Sequence, residues 1–141
     1  MTRLQIKERL IALVVEQLQA QLSGLEEGRQ RAKADAKEHV NEYGSMYDNA
    51  KETANALQAG FLRQMQMIEE VLLTMRGLPV KICDTVETGC VIVAGGDAYF
   101  VSTGLIEKPL EVSGVKYTCV NITAPIIHRL RNVRGSKVTV F

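Results

Sequence analysis

The stretch EHVNEYGSMYDNAKE, residues 38–52, gathers four acids and one lysine around Gly44. Read as local structure, it is a chain reversal. Ser45-x-x-Asp48 has the spacing of a capping box, in which the serine accepts a backbone N–H three residues on and the acid favours a helix N-terminus. Glu38 and Glu42, just before the turn, read as a solvated face. Arg29, Lys33 and Lys37 recur every four residues, so they form a basic stripe. Such a stripe either meets nucleic-acid phosphates or stays solvated beside acids such as Asp35 and Glu38. Arg129, Arg131, Arg134 and Lys137 form a denser basic cluster, read as a solvated helix edge or a face for an acidic partner.

The remaining reactive side chains point to no enzyme. Cys83, Cys90 and Cys119 show no CxxC spacing, and with only His39 and His128 beside them a zinc site is not expected. Each cysteine lies in or beside an apolar segment and reads as a buried thiol. His128 has no acid or nucleophile at a telling distance and reads as structural. Gly95-Gly96-Asp97 reads as a hairpin turn, since a phosphate loop needs a longer glycine pattern and a following helix. A thiol enzyme built on a Cys/His pair would require a strongly depressed cysteine pKa.

Composition agrees with this economy. The 141 residues suit one or two small domains, with 46% hydrophobic and 23% charged residues. A net charge of +1 argues against a global field for nucleic acid or anionic membrane, so electrostatic partners must be met by local patches. Tryptophan is absent and aromatics are 5%, which weakens any case for base stacking. No apolar run has the length of a membrane span, and MTRLQIKERL does not read as a signal peptide. A reduced, cytoplasmic protein is expected.

Two halves have different grammar. Residues 1–77 carry helical periodicity, with Leu4, Ile11, Val14, Leu18, Leu25 and Ala32 on one stripe. Ala50, Ala54, Leu57, Phe61, Met65, Ile68, Leu72 and Met75 form a second stripe. Steps of three and four predict the seam of an antiparallel coiled-coil hairpin, slim at its alanine-lined tip. The first helix is predicted to run about 57 Å. Its early apolar face, Leu4, Ile6, Leu10, Ile11, Leu13, Val14 and Val15, is too wide for a two-helix seam and must bury against the rest of the protein. Thr2-x-x-Gln5 reads as a capping box, and Gly77 with Pro79 as a stop. Residues 78–141 read as a small α+β module: CVIVAG, AYFVST, KYTCVNI and KVTVF as strands of an antiparallel sheet, and APIIHRLRNVRG as one short helix.

A helical hairpin with an acidic tip followed by such a module resembles the bacterial GreA/GreB transcript-cleavage factors, whose second domain is FKBP-like. NITAPIIHRLRNVRGSKVTV is similar to the family's closing signature, with Pro125, Ile126, Leu130, Gly135 and Val138 in matching places. Asn132 replaces the signature's first glycine and Ser136 its usual acid. GSMYDNAKE resembles the tip motif, with Gly44, Asp48, Asn49 and Ala50 agreeing in identity or charge. The chain stops at Phe141, where the family usually has another one or two strands, so a smaller sheet or a truncated module is expected.

The resemblance implies a transcription elongation regulator that binds RNA polymerase and inserts its tip into the secondary channel. It has no catalytic residues or cofactor of its own. In the family, two tip carboxylates help hold Mg²⁺ at the polymerase active centre, where hard oxygen ligands raise occupancy of a weak site. Asp48 is then the tip's metal ligand, shared with the polymerase. Ser45 stands where the first acid should be, and Glu42 is the nearest substitute. Weak or absent stimulation of cleavage is expected, because a neutral hydroxyl gives a divalent ion little charge compensation. Arg29, Lys33 and Lys37 become the stripe nearest RNA or DNA, and Pro125, Ile126 and Leu130 the polymerase-docking signature. The fold does not imply prolyl isomerase activity. A monomer is expected, with no membrane partner. The alternative is a non-enzymatic coiled-coil adaptor that oligomerises through its leucine- and methionine-rich portion.

Overall fold

The structure is a computed structural model that describes residues 1–42, 47–132 and 138–141; the side chains of 36–42, 47–51, 54, 131 and 132 lie outside that description. Helix α1 spans Arg3–Glu42 and α2 spans Tyr47–Arg76. Strands β1 (Val91–Ala94), β2 (Asp97–Val101), β3 (Leu110–Val112) and β4 (Val115–Val120) follow, then α3 (Pro125–Asn132) and β5 (Val138–Val140). The chain divides into two compact units, one of residues 1–18 with 73–141 and one of residues 19–72.

Helix α1 begins where its capping box places it. The Thr2 backbone N–H donates to Gln5 Oε1 at 2.9 Å, and the Gln5 N–H donates to Thr2 Oγ1 at 3.2 Å. Helix α2 stops at Arg76, and Gly77 N–H and Leu78 N–H close the last turn on the carbonyls of Leu73 and Met75. In the second unit the helices run in opposite directions where they touch: Gly28 faces the Phe61 ring, and Gln58 Nε2 donates to the Arg29 carbonyl at 3.2 Å. A Cβ on Gly28 would sit 3.1 Å from Phe61 Cε1, so the missing side chain is what lets the ring approach.

The buried stripes differ from the predicted ones by a fraction of a turn. Leu4 is 44% exposed and Leu57 49% exposed. On α1 the inward positions are Lys7, Leu10, Val14 and Leu18; on α2 Ile68, Leu72 and Met75 are buried, and Gln58, Phe61 and Met65 are half-buried. The sequence pattern favoured Leu57 over its neighbour Gln58 because it weighs only hydrophobicity. Gln58 turns inward with its amide donating to the Arg29 carbonyl of the facing helix.

The first unit holds a five-stranded sheet in the order β3-β4-β2-β1-β5. Gly95 and Gly96, at φ 57° and 88°, make the tight β1–β2 hairpin, and Ser113 with Gly114, at φ 53° and 78°, make the β3–β4 hairpin. These are the left-handed pairs that match strand twist. The all-antiparallel expectation fails at one place, because β2 and β4 pair in parallel, Tyr99 beside Thr118 and Phe100 beside Cys119. The residues between β2 and β3 form a crossing long enough to leave room for a strand, and β4 returns into it. Strand β4 supplies buried Tyr117 and Cys119 to the sheet centre, whereas three-residue β3, which the sequence reading passed over, takes the edge.

Both faces of the sheet carry buried side chains. On one, Cys90, Ile92 and Val101 form a cluster with Cys83 and Ile127, against which Ile126 and Leu130 of α3 also pack. Glu111, Lys116 and Thr118 on this first face are exposed. On the other lie Val91, Ala98, Phe100, Leu110, Val112, Tyr117 and Cys119. Full burial of a side chain such as Phe100 contributes roughly 1.5–3 kcal/mol. The Arg3 guanidinium stands 4.9 Å over the Phe141 ring, and Ser113 Oγ donates to Met1 Sδ at 3.1 Å, which brings the chain start to this second face. Among the described residues no helix is long and apolar enough to cross a membrane.

The helix glycines give a direct test of this packing. A Cβ at Gly24 or Gly60 meets nothing within 4 Å. Gly24→Ala and Gly60→Ala should each stabilise the protein by about 1 kcal/mol. Gly28→Ala should gain markedly less, because Phe61 has to move. Urea denaturation followed by circular dichroism at the helix band measures all three, and equal gains at Gly28 and Gly24 would refute the close contact.

Candidate functional site

The turn residue Ser45 lies outside the described residues, as do the side chains of Glu42 and Asp48. Their backbone placement is given for Glu42, the last residue of α1, and for Asp48, the second of α2. Asp48 therefore occupies the first turn of its helix, where an acid is favoured by the unpaired N–H groups.

Of the basic stripe, Arg29 is the best defined, and it is already engaged. Its Nε and Nη2 each donate to one oxygen of Glu26 at 3.0 Å, in a two-point clasp, and Gln30 Nε2 donates to the same carboxylate. The hydrogen bond from Arg29 holds the Glu26 carboxyl below the usual range. Arg31 pairs with Glu27 at 3.9 Å. Lys33 is exposed, and the Lys37 side chain lies outside the description. The sequence reading paired this stripe with Asp35 and Glu38. Arg29 has its acid three residues earlier, a spacing visible in the sequence as Glu26-x-x-Arg29.

The closing signature sits on α3. Pro125 is exposed at the first helical position, where its lack of an N–H costs no hydrogen bond. Ile126 and Leu130 are half-buried against the cluster under the sheet. Their contacts in this chain are thus with its own core. Arg129 is exposed beside them.

A second constellation was not singled out from sequence. Lys7, on the inward stripe of α1, is 1% exposed. Its ammonium donates to the Lys81 carbonyl and, at 3.2 Å, to Cys83 Sγ. Glu87 Oε1 lies 3.3 Å from Lys81 Nζ, and the neighbouring Cys83 thiol is the largest influence on its carboxyl. Lys7 is thus linked to Cys83 and to the Lys81 carbonyl, and Lys81 in turn to Glu87. The hydrogen bond from Cys83, and then the one from Lys81, lower the Glu87 carboxyl from its ordinary value. A lysine at a stripe position of an otherwise apolar turn, Lys7-x-x-Leu10, was the available signal.

The three thiols are buried and free. Burial pushes Cys90 and Cys119 up, the reverse of what an activated nucleophile requires. Among the described residues no group of three His, Cys, Asp or Glu side chains is placed to hold a metal ion. A cleft of about 510 Å³, wide open, is lined by Asp97, Tyr99, Lys116 and Thr118 between the two hairpin turns.

Comparison of the chain with protein-family models, curated proteins and solved structures finds no match in any of the three. The functional reading therefore stands on the residues and their geometry.

The lowered Glu87 carboxyl has a definite pH consequence. A carboxyl whose folded pKa is depressed adds stability that is present above its unfolded pKa and is lost as pH falls through the folded value. Glu87→Gln should therefore flatten the acid side of the stability curve below the ordinary glutamate range and change little near neutrality. Thermal midpoints measured across the acid range check this, and an unaltered acid limb would refute the Cys83–Glu87–Lys81 connection. The effect should be modest, since Glu87 is partly exposed.

Proposed function

We propose that this chain is a non-enzymatic transcription elongation regulator of the GreA/GreB kind, which binds RNA polymerase and presents its interhelical connection to the secondary channel. The observation that carries the reading is the order of elements. A 40-residue helix and a 30-residue helix meet in opposite directions through a glycine-thinned contact, and a sheet module with a proline-opened helix follows. From Gln19 to Glu42 the first helix rises roughly 36 Å, long enough to carry a tip residue deep into a channel.

In this reading the tip works at the polymerase's own Mg²⁺, with Asp48 as the shared oxygen ligand and Ser45 as a cap that contributes no charge. Glu42 is the reserve acid. Lys33 is the exposed cation of the stripe, available to RNA or DNA phosphates, whereas the Glu26 clasp discounts Arg29. The chain brings no cofactor and acts as a monomer in the cytoplasm, weakly or not at all stimulating RNA cleavage. Pro125 and the exposed edge of α3 are the docking side; Ile126 and Leu130 support it from beneath.

The adaptor reading draws less support. The exposed large apolar residues of α2, Leu57, Leu62, Met67 and Leu73, are spaced by five, five and six. That spacing scatters them around the helix and makes no single stripe for a second copy.

Core RNA polymerase should be retained by the immobilised protein, and backtracked complexes should show little added RNA cleavage. Ser45→Asp should raise that cleavage by at least tenfold, because it restores the second carboxylate, and Asp48→Asn should remove whatever activity exists. Failure to retain polymerase, together with a dimer in sedimentation, would overturn the proposal in favour of an adaptor.

A further inference from the structure

The Lys7–Cys83 contact has a chemistry that the polymerase reading does not use. Lys7 Nζ and Cys83 Sγ are 3.2 Å apart, and they sit on residues 76 positions apart in sequence. Lys7 is 1% exposed and Cys83 4% exposed, so bulk water and large reagents are kept from both. The amine is held in place by the Lys81 carbonyl, and the thiol is aimed at the Glu87 carboxylate. An amine that becomes nucleophilic on losing one proton is thus fixed in contact with an oxidisable sulfur.

We propose that Lys7 and Cys83 are an oxidative crosslinking pair, joined by an S–N bond when hydrogen peroxide reaches the thiol. The first step is sulfenic acid formation. The sulfur attacks one peroxide oxygen, the O–O bond breaks, sulfur loses two electrons and peroxide is reduced to water. Glu87 takes the thiol proton as the sulfur attacks and returns it to the leaving oxygen, which departs as water. In the second step the Lys7 ammonium gives one proton to the Glu87 carboxylate, the freed nitrogen lone pair attacks the sulfur, the S–N bond forms and the S–OH bond breaks. The hydroxide leaves as water with a proton from the lysine nitrogen. A sulfenic acid is known to condense with a thiol or with a backbone nitrogen, and a side-chain amine held in contact is the corresponding partner here.

Two features select this outcome over the alternatives. Burial slows a second peroxide molecule, which would carry the sulfenic acid on to sulfinic acid. Cys90 shares the buried cluster with Cys83 and competes as a thiol, yet burial disfavours its thiolate, the form that attacks. The bond ties the first turns of α1 to the segment ahead of β1, and by shortening the unfolded chain's reach it should hold this unit together under oxidation. Removal of peroxide and addition of a thiol reductant should reverse it.

The test uses the full chain treated with hydrogen peroxide, blocked with an alkylating reagent, digested without reductant and read by mass spectrometry. The expected product is a linked pair of peptides carrying Lys7 and Cys83, lighter than their sum by two hydrogen atoms and lost on reduction. Cys90→Ser should retain it. Lys7→Met, which keeps the length of the side chain, should abolish it and leave Cys83 open to further oxidation. The peroxide-treated protein should also melt several degrees higher than the untreated protein, with no such rise in Lys7→Met. A Cys83–Cys90 disulfide, a Cys83 sulfinic acid beside unmodified Lys7, or a bridge that retains an oxygen between nitrogen and sulfur would each overturn the proposal. Because the wild-type linkage is read directly, the test stands even if Lys7→Met folds poorly.

Discussion

The fold depends on covering the inward stripe of α1. Leu10, Val14 and Leu18 are withdrawn from water, and a helix of this length on its own would leave all three wet. The cover is not shared evenly along the chain. The first turns of α1, through Leu18, belong to the same compact unit as the sheet and the last turn of α2. A sheet module of some sixty residues lies near the lower limit for a core that stands alone. Residues from the start of the chain, Met1 and Arg3, add to the cover of its second face.

Lys7 shows what that arrangement demands. Its position on the stripe is fixed by helix geometry, so the ammonium goes inward with its apolar neighbours. Burying a charge is costly unless it is hydrogen-bonded. The compensation comes from residues far away in sequence, the Lys81 carbonyl and Cys83 thiol, with Glu87 one bond further. The irregular segment between α2 and β1 therefore takes its course partly to supply polar groups. Gln58 shows the same rule in the second unit, where a polar side chain displaced leucine from the expected seam.

Much of the local structure was legible in advance because its causes are local. The Thr2–Gln5 cap, the stop at Arg76, the Gly95–Gly96 hairpin and the proline-opened α3 each follow from a few neighbouring residues. Four of the five strands were readable from their β-branched runs. Strand β3 was not, since three residues between Pro109 and Ser113 are too few for alternation to register. The parallel pairing of β2 with β4 was equally unreadable, because it depends on where a hairpin inserts and not on the composition of either strand. For the candidate site the balance is different. Ser45, Asp48 and Glu42 stand out by motif alone, and the spacing of Glu26 and Arg29 permits a clasp whose two-point geometry the rotamers set.

The sequence by itself determined the helical first half, the strand-rich second half, and the caps and hairpin turns within them. These are set by nearest-neighbour sterics and hydrogen bonding, which any short window of chain already contains. Only the tertiary structure decided which side chains of each stripe turn inward, how β4 enters the sheet, and that Lys7 meets Cys83. Those outcomes are fixed by groups distant in sequence satisfying one another once water is excluded, and no local pattern records that.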